Sequence, residues 1–244
     1  MVCGIWHAST AVVLVALPLS TASAPAAQAQ TVQTVDLVLV LAVDASSSIN
    51  DARWDLERQG YAKAFRDPGV LKAIQSGPIG SIAVTLVEWS SQGDESQVIP
   101  WMVISDQASA DQFSTDLAEL PRAYSSRTSI TGGLLFSAQL LANAPFQGGR
   151  DVIDVSGDGP DNTTGGGAFG NPPDTYRLNR ARDQLVAEGI TINGLPILGD
   201  PLVRSLDRYY QANVIGGSGS FMIVAQDFDS FAAAILRKLV EEIA

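Results

Sequence analysis

The fold turns on the stretch Val35-Asp36-Leu37-Val38-Leu39-Val40-Leu41-Ala42-Val43-Asp44-Ala45-Ser46-Ser47-Ser48. Its first part is a nearly unbroken run of Leu and Val, without the alternation of a strand that keeps one face in water. Such a run predicts a strand buried on both faces, at the centre of a parallel sheet. It ends in the carboxylate of Asp44 and the hydroxyls of Ser46, Ser47 and Ser48. These are hard oxygen donors, suited to Mg²⁺, Mn²⁺ or Ca²⁺.

Downstream, the pattern predicts a helix over 50–66, with Trp54, Tyr61 and Phe65 on its apolar side and Arg53, Glu57, Arg58 and Lys63 elsewhere. Asp67-Pro68-Gly69 ends it, and 70–75 adds a helical turn. A strand over 82–89 and another over 98–104 are joined by the short polar link 90–96, as an antiparallel pair requires. Pro100, which cannot donate to a ladder, puts the second of them at the sheet edge. Helices follow at 106–117 and 131–144, then a strand at 151–156 that runs into Gly157-Asp158-Gly159. A helix at 176–188, a strand at 190–195, a helix at 202–213, a strand at 221–224 and a last helix at 228–243 complete the alternation. The predicted fold is α/β and doubly wound: a mostly parallel central sheet of about six strands, one antiparallel edge strand, and helices on both faces.

Residues 1–30 stand apart. They hold no Asp, Glu, Lys or Arg, an apolar core over 11–19, and a small-residue segment that contains Ala27-Gln28-Ala29. The pattern is that of a secretory signal peptide over 1–29, leaving a mature domain of 30–244, although no Lys or Arg precedes the apolar core. An uncleaved anchor is the alternative, but the apolar run falls short of the ~20 residues needed to span a bilayer. Export to the periplasm or the extracellular space is expected, with no membrane span after signal removal.

Cys3 and His7 are the only Cys and His in the chain. A mature domain without them has no disulfide, no Cys- or His-ligated zinc, and no Ser-His or Cys-His catalytic pair. The net charge of −11 belongs to the mature part and argues against nucleic acid and anionic membranes as partners. It favours cations.

Ligands of an open α/β sheet sit beyond the carboxyl ends of its strands, where the strand order reverses. Asp44 and Asp158 both end strands, and the hydroxyl-rich loop 125–129 leads to the same side. Two carboxylates and several hydroxyls are thereby expected in one crevice, a mixture that suits Mg²⁺. The long loop 159–174 begins at the same place and reads either as functional or as a surface insertion.

Asp44-Ala45-Ser46-Ser47-Ser48 matches the D-x-S-x-S signature of von Willebrand factor type A and integrin I domains, which the chain resembles from Asp36 to its C-terminus. The resemblance implies a metal-ion-dependent adhesion site (MIDAS) completed by a Thr and a second Asp. Thr128 looks like that Thr, with Thr131 as the alternative, and Asp158 looks like the Asp, with Gly157 where the family has Thr. It further implies Ser46, Ser48 and Thr128 as direct ligands, and Asp44 and Asp158 as ligands directly or through water. One coordination position would stay open for an Asp or Glu carboxylate of a partner protein. With Glu88-Trp89 and the 153–160 segment, the chain is similar to exported bacterial type A domains of no assigned function. A monomeric, non-enzymatic binding module is expected.

Two rivals are weighed beside it. A Mg²⁺-dependent phosphatase or other hydrolase would use Asp44 as nucleophile, but the expected second Asp two residues on is Ser46. No phosphate-cradling G-x-x-x-x-G-K-[ST] run exists. A scaffold with a purely structural metal is the other. In integrin-like domains the last helix slides when the site engages a partner; Phe231, Ile235, Leu239 and Ile243 form an apolar stripe here, read as core packing. Asp154, inside a buried strand, needs a cationic partner, for which Arg127 is the candidate.

Overall fold

The structure is a computed structural model and describes residues 1–2, 32–162, 175–199, 203 and 205–244. The predicted signal segment beyond its first two residues, and the 163–174 part of the long loop, lie outside the described residues. The compact unit spans Val32–Ala244.

Its elements in order are β1 (Gln33–Val35), β2 (Leu37–Asp44), α1 (Asp51–Phe65), α2 (Pro68–Ser76), β3 (Ile82–Trp89), β4 (Glu95–Ile104), α3 (Gln107–Glu119), α4 (Ile130–Ala142), β5 (Phe146–Gly148), β6 (Asp151–Gly157), α5 (Tyr176–Ala187), β7 (Thr191–Pro196), α6 (Leu206–Asn213) and α7 (Phe231–Ile243). The main sheet has the order β4-β3-β2-β6-β7. All its pairs are parallel except β3 with β4. Thus β2 is central, and the strand order reverses on its two sides.

Every residue of β2 is buried. Leu37, Leu39, Leu41 and Val43 face a core shared with Tyr61, Phe65, Phe113, Phe231 and Leu239 of α1, α3 and α7. Val38, Val40 and Ala42 face a second core with Leu134, Leu178 and Tyr210 of α4, α5 and α6. That is why the sequence shows a run instead of alternation. A slip by one residue would still bury apolar side chains on both faces, so hydrophobicity alone cannot hold the register. The polar ends hold it. The Asp36 carboxylate accepts from the backbone N–H groups of Ile79, at 3.0 Å, and Gly80, at 2.7 Å. At the other end Asp44 accepts from Ser46.

The edge strand behaves as Pro100 requires. The β3–β4 ladder skips from Val84–Met102 to Leu86–Ile99. In the gap, the Thr85 hydroxyl donates to the Ile99 carbonyl at 2.6 Å.

Two details differ from the sequence reading. The sixth strand, expected at 221–224, lies along β7 but joins it only by the isolated bridges Gly194–Met222 and Ile197–Ala225. Gly217 and Gly219, both at positive φ, turn the chain just before it, and the Asn193 side chain takes the Phe221 N–H at 2.9 Å. The second difference is a separate two-stranded parallel pair, β1 with β5, three residues long and too short to carry a periodic signal.

Asp154 does need a cation, but the cation is not Arg127. Lys238 of α7 reaches Asp154 at 2.7 Å and Glu242 at 2.9 Å, and the Asp154–Lys238 pair is wholly shielded from water. Asn193 donates to the other Glu242 oxygen at 2.9 Å. Arg127 sits in an exposed loop. The Phe231, Ile235, Leu239 and Ile243 stripe is core packing, as read, and Lys238 passes beside it into the sheet.

Candidate metal centre

The turn after β2 folds back on its own acid. Asp44 Oδ1 accepts from the Ser46 N–H at 2.7 Å, an Asx-type turn of the kind Asp favours. Ser46 Oγ and Ser48 Oγ lie 3.0 Å apart, and the Ser48 hydroxyl donates to Asp158 Oδ1 at 2.6 Å. Four of the five residues singled out from sequence are thus joined in one chain of contacts. The fifth, Thr128, is buried and clamped to the segment after Asp158. Its N–H donates to Asn162 Oδ1 at 3.0 Å, and its carbonyl accepts from the Asn162 N–H at 2.9 Å. Its hydroxyl lies 4.0 Å from the point where a side chain on Gly159 would begin. The alternative, Thr131, is engaged elsewhere: its hydroxyl donates to Asp161 at 2.8 Å.

The surrounding loops are held by backbone groups. The Ala45 N–H donates to the Trp89 carbonyl at 2.8 Å, and the Ser47 N–H to the Ser126 carbonyl at 2.8 Å. Arg122 donates to the carbonyls of Ala45, at 2.9 Å, and Ser46, at 2.6 Å. Beneath it, buried Glu88 accepts from the Ala123 N–H at 2.6 Å. The 125–129 loop thereby supplies scaffolding to the site, with Thr128 as its one buried hydroxyl from the predicted set.

The electrostatics are severe. Asp44 is fully buried, and its carboxyl is pushed up to about 7, first by burial and then by the neighbouring charge of Asp158. Its Oδ2 has no hydrogen-bond partner among the described residues. Glu57 of α1 lies close enough for both aspartates to raise it further, after burial itself. Neither of its oxygens has a hydrogen-bond partner among the described residues. From the sequence, Glu57 is expected away from the apolar side of the helix. The structure corrects this, because Trp54, Glu57 and Tyr61 follow the i, i+3, i+7 spacing of one buried face. That spacing was the signal available. Arg122 opposes the rise at Glu57, and Arg53, which donates to the Ser48 carbonyl at 2.9 Å, stands 3.5 Å from Asp158 Oδ2.

Gly157 has a local explanation. A Cβ there would stand 2.9 Å from Asp44 Oδ2 and 2.9 Å from the Tyr210 hydroxyl. Tyr210 therefore fills the space that a Thr side chain would use. Gly157→Thr is expected to destabilise the protein by about 1–3 kcal/mol through overpacking, read by urea denaturation. Tyr210→Phe in the same background should recover part of the loss.

Glu88 is held up at about 7 by burial, against the opposing pull of the Ala123 N–H and Arg122. A carboxyl raised in the folded state favours folding below its unfolded value of 4.5, and that contribution is lost as pH rises through about 7. In chelator, thermal stability is expected to be higher at pH 5 than at pH 7.5. Glu88→Gln should flatten this slope, which thermal melts across the window would show.

The donor set suits a divalent cation. It combines two carboxylates with neutral hydroxyls, and a buried carboxylate oxygen of Asp44 is left without a partner. Among the described residues no group of three or more His, Cys, Asp or Glu could hold a metal, so the hydroxyls would have to contribute. Hard oxygen ligation of this kind belongs to Mg²⁺, Mn²⁺ or Ca²⁺.

Comparison with known sequences matches residues 34–244 to a family described as "Protein of unknown function (DUF1194)". The chain belongs to this family. A comparison with curated proteins finds no match. Among solved structures, the von Willebrand factor domain of the type V pili tip protein Mfa5 from Porphyromonas gingivalis is 14% identical with a TM-score of 0.57, covering 86% of this chain and 95% of that one. A von Willebrand factor type A protein from Catenulispora acidiphila is 13% identical with a TM-score of 0.56, covering 86% and 43%. Proximal thread matrix protein 1 from the mussel byssus, with a zinc-occupied MIDAS motif, is 14% identical with a TM-score of 0.52, covering 85% and 48%. The chain spans less than half the length of these last two proteins. The likeness establishes that this family member has the von Willebrand factor type A fold.

Proposed function

We propose that this DUF1194 domain is an exported, metal-dependent protein-binding module. The observation that carries the reading is the unpartnered, fully buried Asp44 Oδ2 in an oxygen-lined turn at the end of the central strand. Leaving such a carboxylate charged and uncompensated is costly, and a divalent cation is the natural counter-charge. Ser46, Ser48 and Thr128 would ligate it through their hydroxyls, and Asp44 and Asp158 directly or through water. A bound cation of this kind supplies an electrophilic position for an Asp or Glu carboxylate of a protein partner. Mg²⁺ is the proposed ion, with Mn²⁺ or Ca²⁺ as substitutes.

Export through a cleaved 1–29 signal rests on the charge-free, apolar N-terminal segment. No helix among the described residues is long and apolar enough to cross a membrane. The pilus-tip neighbour supports a binding role over an enzymatic one, and a single copy of the domain would suffice for it. Capture from an envelope fraction on the immobilised protein tests the reading. Partners retained in Mg²⁺ should be released by chelator and missing with Asp44→Asn. Capture that ignores both treatments overturns it.

A further inference from the structure

A second feature borders the metal centre. Between the N-terminal parts of α4 and α5 lies a cavity of about 520 Å³. Thr131, three residues beyond Thr128, and Asp161, three beyond Asp158, form its wall on the side of the site. Its outer wall is made by Leu135 of α4 and by Tyr176, Arg177 and Arg180 of α5. Leu135 and Tyr176 are exposed apolar surface, at 40% and 69% of their full accessibility.

The charge here runs against the rest of the chain. Arg177 and Arg180 stand at i and i+3, neighbours on one helical face, and both are exposed. Neither guanidinium is in an ion pair among the described residues; the same holds for Arg127, Arg150, Arg208 and Arg237, but of these six arginines only Arg177 and Arg180 line the cavity. Among the described residues one carboxylate lines the cavity, that of Asp161, and it accepts from the N–H and hydroxyl of Thr131 at 3.0 and 2.8 Å. In a protein of net charge −11, this groove carries two arginines that no described carboxylate pairs, beside a site read as receiving a carboxylate.

We propose that the groove between α4 and α5 is the docking surface for the partner segment that flanks the metal-bound carboxylate, and that it selects segments carrying a second acidic residue. The proposal rests on the metal-dependent reading above. Arg177 and Arg180 take the second acid in a charge-assisted, two-pronged contact, and Leu135 with Tyr176 covers an apolar side chain between the two acids. The charge pattern also serves discrimination. The acidic surface elsewhere repels an acidic segment, and only a segment laid in this groove meets both the site and the arginines.

The test is a selection of phage-displayed random peptides on the full protein in Mg²⁺, repeated in chelator, on Asp44→Asn, and on Arg177→Ser/Arg180→Ser. Peptides enriched on the wild type should carry two acidic residues around an apolar one. On the double-Arg variant, which keeps its calorimetric Mg²⁺ affinity, the second acid should disappear from the enriched set. Wild-type peptides should bind that variant at least about tenfold more weakly by fluorescence polarisation, the scale of one charge-assisted contact. Enriched peptides with a single acid, bound equally by the double-Arg variant, overturn the groove and leave the metal reading standing. Two-acid peptides that ignore chelator and Asp44→Asn yet fail on the double-Arg variant support the groove as an acid-binding surface and overturn the metal reading. No enrichment on the wild type overturns both.

Discussion

Asp44→Asn is expected to abolish Mg²⁺ binding, with a loss of at least about 100-fold in affinity, and to leave the fold intact. Replacing a contributing carboxylate should exceed the 10–100-fold cost seen when only an outer partner of a ligand is lost. Asn keeps an oxygen for the Ser46 N–H, so the turn after β2 retains its internal bond. It removes the ionisable group that burial and Asp158 together disfavour. The metal-free variant should therefore be at least as stable as the metal-free wild type. In Mg²⁺ the order should reverse, because only the wild type gains the mass-action stabilisation of a ligand that binds the folded state. Titration calorimetry and paired thermal melts read both effects. A wild-type-like Mg²⁺ isotherm for Asp44→Asn would remove Asp44 from the site.

Lys238→Met is expected to cost about 3–5 kcal/mol, as when one member of a buried ion pair is removed. The variant leaves Asp154 and Glu242 facing each other without a cation, in a place where none of the three side chains reaches water. In the native protein the two carboxylates hold the Lys238 ammonium charged in spite of its burial, while burial outweighs Lys238 at Asp154 and lifts that carboxyl to about 7. Asp154→Asn added to Lys238→Met should restore a large part of the loss, since the uncompensated charge and not the missing methylenes is the main cost. Urea denaturation of the single and double variants separates the two causes. A loss under about 1 kcal/mol for Lys238→Met would mean that the network contributes no more than an exposed pair.

Much of this was readable from the chain. The doubly buried strand, the antiparallel edge with Pro100, and the strand-ending positions of Asp44 and Asp158 follow from local pattern, because burial on both faces, the missing proline donor and turn chemistry each leave a signature within a few residues. The weaker sixth strand was over-read, because a short apolar segment carries no sign of whether its ladder closes. Glu57 was misplaced for a different reason. A carboxylate on a helix is taken as solvated unless something buried demands it, and what surrounds it here comes from β2, β6 and their loops.

By itself the sequence determined the architecture and the lack of Cys and His ligands after residue 7, since periodicity and composition are local or summed properties. Only the tertiary structure decided which charges are paired. It gave Asp154 to Lys238, Thr131 to Asp161 and the space at Gly157 to Tyr210, and it left Asp44, Glu57, Arg177 and Arg180 without ion-pair partners among the described residues. The reason is physical: a buried charge is stabilised by whatever packs against it, and that neighbour belongs to a part of the chain whose own sequence does not announce the meeting.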